Sequence, residues 1–334
     1  MGRKTDGQDS AGRNRTMRDQ QSSPICTSEY KEGAVGSMKI ISDDNFIAMH
    51  SKNNKPAAFA DSGDLVGFVT RDCYNRSVCN KNKPMEEQVK NQPENPATGP
   101  LYINGAMPGD VIAVDILDIT VADHGVVAVG SGPFKEKKPE VFHFLPIKNG
   151  KTVGNGISIP IDPMIGVIGT ALPDRDVPCM HAFEGGGNMD CRLIRKGAVV
   201  WLPVRVPGAL LSIGDLHAVM GDGEVDGTGL EVDGEVTVRV RLLKNFELNW
   251  PITETKDAWY VDSCGDTCDE AIRAGYLELR RLIAAAYGWT LEDAGIYMTL
   301  QCYLESNQAC LVPHDTFRVG VPKLAEMPRL IGNE

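Results

Sequence analysis

Two loops rich in glycine and acidic residues carry the side chains best suited to chemistry. The first reads Glu-Gly-Gly-Gly-Asn-Met-Asp over residues 184–190, and the second reads Gly-Asp-Leu-His-Ala-Val-Met-Gly-Asp-Gly-Glu over residues 214–224. Consecutive glycines allow close backbone approach and positive φ angles. Carboxylate, amide and imidazole groups beside such a backbone suit a bound cation and a hydrolytic water. The two loops therefore predict a site for metal-assisted hydrolysis.

The segment between these loops is expected to bring them together. Residues 198–213 are apolar and include Pro203 and Pro207, so the segment reads as strand rather than helix. Loops at the ends of buried strands are positioned by a rigid scaffold. We therefore expect the two loops to converge.

Asp190 and His217 are predicted to hold a divalent metal ion. His217 lies two residues after Asp215 in a glycine-bracketed loop, unlike a histidine on a strand face. Asp215 could instead orient the imidazole, as acids beside ligating histidines do. Asp190 could be a simple turn residue, although three glycines and Asn188 exceed what a turn requires. Histidine with carboxylates suits zinc first, and other first-row metals also fit.

Glu224 is the first candidate for a general base. It follows Asp222 at a spacing of two, so both carboxylates would face one side of an extended chain. Two acids held close raise each other's pKa, and a carboxyl poised near neutrality can move protons. A solvated acidic turn is the structural alternative for this pair. Glu184 competes for the base role, and Asn188 with glycine N–H groups could stabilise an oxyanion.

Cys179 and Cys191 flank the first loop and offer an alternative nucleophile. Cys179 lies two residues before His181, and a cysteine–histidine pair can form an activated thiolate. A free cysteine is more often a small buried hydrophobic residue. We therefore place attack by water ahead of the thiol route.

Four segments of the chain resemble signature segments of the acetamidase/formamidase family. In chain order they are Asn-Pro-Ala-Thr-Gly-Pro at 95–100 with Gly105 and Pro-Gly-Asp at 108–110, Pro-Met-Ile-Gly-Val-Ile-Gly at 163–169, Gly-Gly-Asn-Met-Asp at 186–190, and the loop at 214–224. The likeness covers about residues 37–324, and the last segment is its most specific part. The resemblance implies an amidase that hydrolyses short carboxamides, small-molecule substrates, to ammonia and a carboxylic acid.

The resemblance also bears on three single positions. It implies that Asp72, which ends a predicted strand, is a third metal ligand, and it matches Glu184 to an acid of formamidase-like members. Gly185 departs from the family pattern, because relatives carry His or Asn there. The missing side chain would enlarge the pocket.

Two alternative functions remain open on the sequence. An enlarged pocket would favour an amidohydrolase for a larger amide, a lactam or a guanidine-like compound. The glycine-rich acidic loops could also belong to a non-catalytic β-sandwich module that holds a structural metal and binds a carbohydrate or peptide. Release of ammonia from small amides would separate an enzyme from such a module.

Composition excludes several classes of partner. The net charge of −11 argues against nucleic acid, whose phosphates require clustered Lys and Arg. No apolar run approaches the ~20 residues of a membrane helix. Nine cysteines without a CxxC pair indicate neither a zinc ribbon nor a disulfide framework, so we expect reduced thiols and a cytoplasmic location. We also expect a homodimer or a higher homo-oligomer.

The chain divides into a polar tail and a β-rich body. Residues 1–36 are rich in Gly, Ser, Asp, Arg and Gln and lack the hydrophobic region of a secretory signal, so we expect a disordered tail. Short apolar runs at 65–69 and 236–240, among 35 glycines and 20 prolines, are typical of strands and turns. They predict a mainly β body over 37–250, built as a β-sandwich or open barrel.

The pattern changes in the last quarter of the chain. Thr267 with Glu270 and Thr290 with Asp293 have the spacing of helix capping boxes. Helices among strands predict an α+β C-terminal subdomain over 251–334, packed on the body.

Overall fold

The computed structural model describes residues 38–130, 141–310 and 315–332, apart from the side chains at 85 and 86. The predicted tail over 1–36 lies outside the described residues. The helices are α1 Met85–Gln88, α2 Cys268–Tyr287 and α3 Leu291–Gln301. None of the helices in these ranges is long and apolar enough to span a membrane.

Strands make up most of the regular structure. In chain order they are β1 Lys39–Ile41, β2 Phe46–Ile47, β3 Met49–His50, β4 Ala58–Ala60, β5 Leu65–Thr70, β6 Ala97–Ile103, β7 Val111–Val121, β8 His124–Val129, β9 Val141–Lys148, β10 Lys151–Gly154, β11 Ile157–Pro160, β12 Met164–Gly169, β13 Val177–Pro178, β14 Ala182–Phe183, β15 Gly186–Asn188, β16 Val199–Pro203, β17 Leu211–His217, β18 Glu231–Val232, β19 Gly234–Leu243, β20 Ile252–Glu254, β21 Ala258–Cys264, β22 Tyr303–Gln308 and β23 Thr316–Pro322.

The strands form two large sheets and one small one. A nine-stranded sheet has the order β1-β5-β19-β7-β16-β20-β21-β23-β22. A twelve-stranded sheet has the order β11-β10-β9-β8-β18-β17-β12-β15-β14, with β6 paired to β17 and with β2 and β4 paired to β6. Strands β13 and β3 form a separate pair. Most neighbours are antiparallel; β1 runs parallel to β5, and β4 to β6.

The largest core lies between the two sheets. On β7, Ile112 and Val114 join this core with Ile213 of β17. Val111 and Ala113 point to the other face of the same strand and pack in the core beneath the helices. This alternation is the period of two expected for a strand buried on both faces. The structure thus confirms the prediction of a mainly β sandwich.

The predicted helices are found in the C-terminal region. The Thr267 side chain caps α2 by accepting a hydrogen bond from the N–H three residues on, and Thr290 with Asp293 forms a complete capping box on α3. Leu279 of α2 packs in a core shared with strands β21 and β23. These strands continue the nine-stranded sheet of the body, and the division at residue 250 remains a prediction.

The apolar segment at 198–213 crosses from one sheet to the other. It contains β16 of the nine-stranded sheet and the first half of β17 of the twelve-stranded sheet, which confirms its reading as strand. The turn between them has left-handed backbone at Ala209 and Leu210, with φ of 60° and 59°. Strand β17 then enters the second glycine-rich loop, so the crossing fixes where that loop begins.

Candidate active site

Strand β12 brings the two loops together, because it pairs with β15 on one side and β17 on the other. Asp190 follows β15, and His217 is the last residue of β17, so its prediction as a loop residue was wrong. Between them, Gly166 of β12 leaves the space that the carboxylates occupy. A Cβ at Gly166 would stand 2.5 Å from Asp190 Oδ1 and 2.6 Å from Asp215 Oδ2. The absence of a side chain at this position lets the two acids approach each other.

Three acids of the site have left-handed backbone. The φ angles are 47° at Asp190, 54° at Asp215 and 41° at Glu224. Residues other than glycine rarely adopt positive φ, and such strain clusters at functional sites. Here the unusual backbone belongs to residues whose carboxylates lie in the interior.

Asp190, His217 and Glu224 form a buried group. Their ligand-type atoms all lie within 4.8 Å of one another, and His217 Nε2 is 3.9 Å from Asp190 Oδ1. None of the three residues is more than 6% exposed. Within the described part of the chain, Asp190 Oδ1 and both ring nitrogens of His217 have no hydrogen-bond partner. Buried polar atoms are normally satisfied, so these residues fit a bound divalent cation.

Two further acids lie close to the same ring nitrogen of His217. Its Nε2 is 3.4 Å from Asp215 Oδ1 and 3.1 Å from Glu231 Oε1. Asp215 Oδ2 accepts a hydrogen bond of 3.1 Å from Asn95 Nδ2. Strand pairing places Glu231 of β18 opposite His217 of β17. Nothing in the sequence around Glu231 indicates a site, because a single acid between apolar residues carries no local signal.

The burial of several carboxyl groups close together changes the pKa values of the residues in this site. Desolvation raises the pKa of Asp190 to about 7 and that of Glu231 to about 7. Desolvation and then the charge of Asp190 raise the pKa of Glu224 well above its usual value. Burial lowers the pKa of His217, but the charges of Glu231 and Asp215 outweigh it and raise that pKa. Without a cation, the site therefore holds protons that a solvated carboxylate would release.

The loops that build this site match a known family. A sequence model of the Acetamidase/Formamidase family matches residues 170–259, which include both loops. A candidate formamidase of Schizosaccharomyces pombe is 30% identical over 365 aligned positions, which cover 82% of this chain and 88% of that protein. The chain belongs to the acetamidase/formamidase family. The resemblance seen in the sequence is thereby confirmed.

Other members of the acetamidase/formamidase family agree in fold and sequence. The crystal structure of an acetamidase from Bacillus halodurans has 34% identity and a TM-score of 0.81, covering 85% of this chain and 97% of that chain. A formamidase from Methylophilus methylotrophus is 27% identical over 256 aligned positions, which cover 54% of this chain and 62% of that protein. The family's fold thus extends over most of the described chain.

Asp72, the third metal ligand implied by the family resemblance, lies apart from the buried group. Its carboxylate accepts hydrogen bonds from the backbone N–H of Tyr74 at 3.0 Å and of Arg76 at 2.8 Å, so it caps a turn after β5. Burial raises the pKa of Asp72 to about 6. It lines a surface cleft that also reaches Glu231. The structure does not bring Asp72 to Asp190 and His217, and its role as ligand remains a prediction.

The carboxylates of Asp222 and Glu224 lie in different surroundings. An extended chain, which the sequence predicted here, would have placed both on one side. Gly223 and Glu224 have φ of 91° and 41°, so the chain turns there and the alternation of a strand does not apply. Asp222 accepts a hydrogen bond of 2.9 Å from Arg318 Nη1 and is part-exposed. Glu224 turns inward instead, where Cys310 Sγ lies 3.7 Å from its Oε2. Of the two acids, only Glu224 joins Asp190.

The remaining residues singled out in the first loop have other partners. Glu184 forms an ion pair of 2.6 Å with Arg175 at the surface. Asn188 is buried; its Nδ2 donates to Met180 O at 3.3 Å, and its Oδ1 accepts from Asn95 Nδ2 at 3.4 Å. These contacts fix Asn188 beside the acids. Its role as oxyanion donor and the roles of Glu184 and Asp222 in catalysis remain predictions.

The two cysteines beside the first loop are poor nucleophiles. Desolvation raises the pKa of Cys179 to about 12 and that of Cys191 well above the usual value. Cys179 Sγ donates a hydrogen bond of 3.5 Å to Ile47 O. The thiolate is the reactive form of cysteine, and these environments disfavour it near neutral pH.

The space beside Gly185 is filled, contrary to the expectation of an enlarged pocket. A Cβ at Gly185 would overlap the ring of Phe183 and lie 3.0 Å from the carbonyl oxygen of Thr170. Phe183 in turn packs against buried His50, with ring centroids 5.3 Å apart. The side chain two residues earlier therefore occupies the room that the sequence left empty.

The proton affinities predict how the metal-free protein responds to pH. Asp190 changes from a pKa of 3.8 to about 7 on folding, so the folded state binds more protons than the unfolded state between these values. The free energy of unfolding of wild type, relative to Asp190→Asn, should fall as pH rises from about 4 to about 7. Urea titrations of chelator-treated protein measure this difference. A difference that rises with pH would contradict the assignment of a buried, protonated Asp190.

Proposed function

We propose that the protein is an amidase that hydrolyses the C–N bond of short carboxamides such as formamide and acetamide. The products are ammonia and a carboxylic acid. Family membership supports the reaction class, since the relatives are named as formamidases and acetamidases. The observation that carries the proposal is the buried group of Asp190, His217 and Glu224 with its unpartnered polar atoms.

Asp190 and His217 would hold a divalent cation, zinc by preference, in this proposal. The fit rests on the two ring nitrogens of His217 and on Asp190 Oδ1, which are buried and have no hydrogen-bond partner among the described residues. Asp190 Oδ2 is fixed separately by Gln308 Nε2, which leaves Oδ1 to face the group. When bound, such a cation polarises a carbonyl and lowers the pKa of water to about 7.

Glu224 is the proton carrier of the reaction. A water attacks the carbonyl carbon and gives its proton to the Glu224 carboxylate, and the same proton then passes to the leaving nitrogen as the C–N bond breaks. Burial and the charge of Asp190 raise the pKa of Glu224 in the metal-free site, whereas a bound cation would favour its carboxylate form, which can take up the proton of the water and return it to the leaving nitrogen. Glu224 is the general-base candidate that lies within this group.

The enclosure of the group favours a small substrate. Asp190 and His217 are fully buried, and the room beside Gly185 is taken by Phe183. A larger amide, a lactam or a guanidine-like compound therefore gains no support from Gly185. A non-catalytic module that only binds a metal and a ligand can be distinguished from this amidase by experiment, because it would release no ammonia from any amide.

Glu224→Gln is expected to lower turnover of formamide or acetamide by roughly 10²–10⁴-fold, because glutamine keeps the shape but cannot take a proton. Metal content and melting temperature should stay near wild type. Ammonia release, elemental analysis and thermal melting measure the three quantities.

Glu184→Gln is the matched control, since Glu184 is bound to Arg175 at the surface and should tolerate the change. If Glu224→Gln keeps its turnover while Glu184→Gln loses it, the base lies in the first loop. A loss of metal in Glu224→Gln would make Glu224 a ligand.

We further propose a homodimer or higher homo-oligomer in the reducing cytoplasm. The eight cysteines of the described ranges are free thiols, as a reducing compartment keeps them. Light scattering coupled to gel filtration would measure the subunit number.

A further inference from the structure

One divalent cation would not balance the buried charge around His217. Four carboxylates belong to this region, and each residue is at most 6% exposed: Asp190, Asp215, Glu224 and Glu231. Over the described ranges, the ion pairs of these four acids involve His217 and no Lys or Arg. Buried charges require compensation by partners or metals. A single divalent cation compensates two of the four acids.

A second set of possible ligands adjoins the first around His217. The ligand-type atoms of Cys73, Asp215 and Glu231 are all within 4.8 Å of one another, and the three residues are buried. Cys73 follows β5, while the two acids come from β17 and β18. Three separate elements thus contribute one ligand each, and this set shares no residue with Asp190, His217 and Glu224.

The two carboxylates of this set are held as ligating carboxylates usually are. Asp215 Oδ2 accepts from Asn95 Nδ2 at 3.1 Å, and Glu231 Oε1 accepts from the backbone N–H of Gly229 at 2.9 Å. In each acid the other oxygen, Asp215 Oδ1 or Glu231 Oε2, accepts no hydrogen bond from the described residues, and Asp215 Oδ1 lies 3.4 Å from His217 Nε2. Outer hydrogen bonds that fix one oxygen and leave the other available are typical of metal sites.

We propose that Cys73, Asp215 and Glu231 form a second metal site, for a divalent cation that accepts a thiolate, with zinc as the first choice. A thiolate is a soft ligand that favours zinc over magnesium or calcium. On binding, the Cys73 thiol releases its proton to solvent, and two carboxylates and one thiolate then face the cation. The site adjoins the first one, because His217 Nε2 is 3.1 Å from Glu231 Oε1. Paired metal sites are common in hydrolases, but this inference concerns metal binding and goes beyond the proposed reaction.

Cobalt(II) reports the thiolate directly. Protein loaded with cobalt(II) is expected to show a near-ultraviolet thiolate-to-metal charge-transfer band, because the metal-bound thiolate donates charge to the metal. Elemental analysis of zinc-loaded wild type should find about two metal ions per chain, one for each set of ligands. A cobalt-loaded wild type without the band, or a wild type that binds about one ion, would overturn the second site.

Cys73→Ser tests the ligand, and Cys79→Ser is the matched control, because Cys79 is an exposed free thiol six residues away. Cys73→Ser should lose the band and about one ion per chain, whereas Cys79→Ser should keep both. Retention of the band in Cys73→Ser would refute Cys73 as the ligand.

His217→Ala separates this inference from the proposed reaction. It should lose the ion of the first set and keep the cobalt–thiolate band, which is measured without any substrate. Loss of the band in folded His217→Ala would show that Cys73, Asp215 and Glu231 do not bind a metal ion independently of the first set. If Cys73→Ser fails to fold, Glu231→Gln replaces it: the charge of one ligand is removed, and metal content should fall by about one ion per chain. Unchanged metal content in Glu231→Gln would count against the site.

Discussion

Gly166→Ala is expected to remove metal from the Asp190 and His217 centre and to lower amide turnover by ~10²-fold or more, the scale of a misplaced catalytic group. A Cβ there would stand 2.5 Å from Asp190 Oδ1 and 2.6 Å from Asp215 Oδ2. It would also lie 2.9 Å from the backbone oxygen of Asp215, which cannot rotate away as a side chain can. Both acids must therefore move out of the arrangement that faces His217.

Gly221→Ala is the matched control for Gly166→Ala. Gly221 lies in the second loop, and a Cβ there would meet nothing within 4 Å. Metal content, ammonia release and melting temperature should therefore stay near wild type. Wild-type metal and turnover in Gly166→Ala would contradict the close approach of the two carboxylates.

His217→Ala is expected to lose the same metal and to reduce turnover by at least ~10²-fold, the lower range for loss of a group in the chemistry. His217 supplies the imidazole of the buried group, and its ring is fully buried among acids. His124→Ala is the control, since His124 is exposed and pairs with Asp123 at 2.7 Å. Equal metal content in the two variants would remove His217 from the ligands.

Residues that lie together in the structure could be predicted where they stand in continuous glycine-rich segments. The loops at 184–190 and 214–224 combine glycines with ligand-type residues, and this local signal was enough to select Asp190, His217 and Glu224. The alternation of apolar residues and the cap signals were likewise sufficient for the β-sandwich and the C-terminal helices.

Ligands supplied by strand pairing could not be found in this way. Glu231 reaches His217 only because β18 pairs with β17 in one particular register, and Cys73 lies after β5, a strand of the other sheet. Glu231 stands between two apolar residues, and Cys73 follows Asp72 in a segment without glycine or histidine, so neither residue carries the local signal of the two glycine-rich loops. Register between distant strands depends on the packed core, which local patterns do not encode.

Two expectations failed because they assumed an ordinary backbone or an empty space. The pairing of Asp222 with Glu224 assumed extended chain, and positive φ at Gly223 and Glu224 sends the two carboxylates to different surroundings. The pocket at Gly185 assumed that a missing side chain leaves room. Phe183 fills that room, which only the three-dimensional packing reveals.

The most direct test of metal-assisted amide hydrolysis is a zinc titration of chelator-treated wild type, with ammonia release from formamide and acetamide as the readout. The metal-free protein should be inactive, and turnover should recover in proportion to the zinc bound at the Asp190 and His217 centre, with no recovery in His217→Ala. Full ammonia release by the metal-free, folded protein would contradict the account.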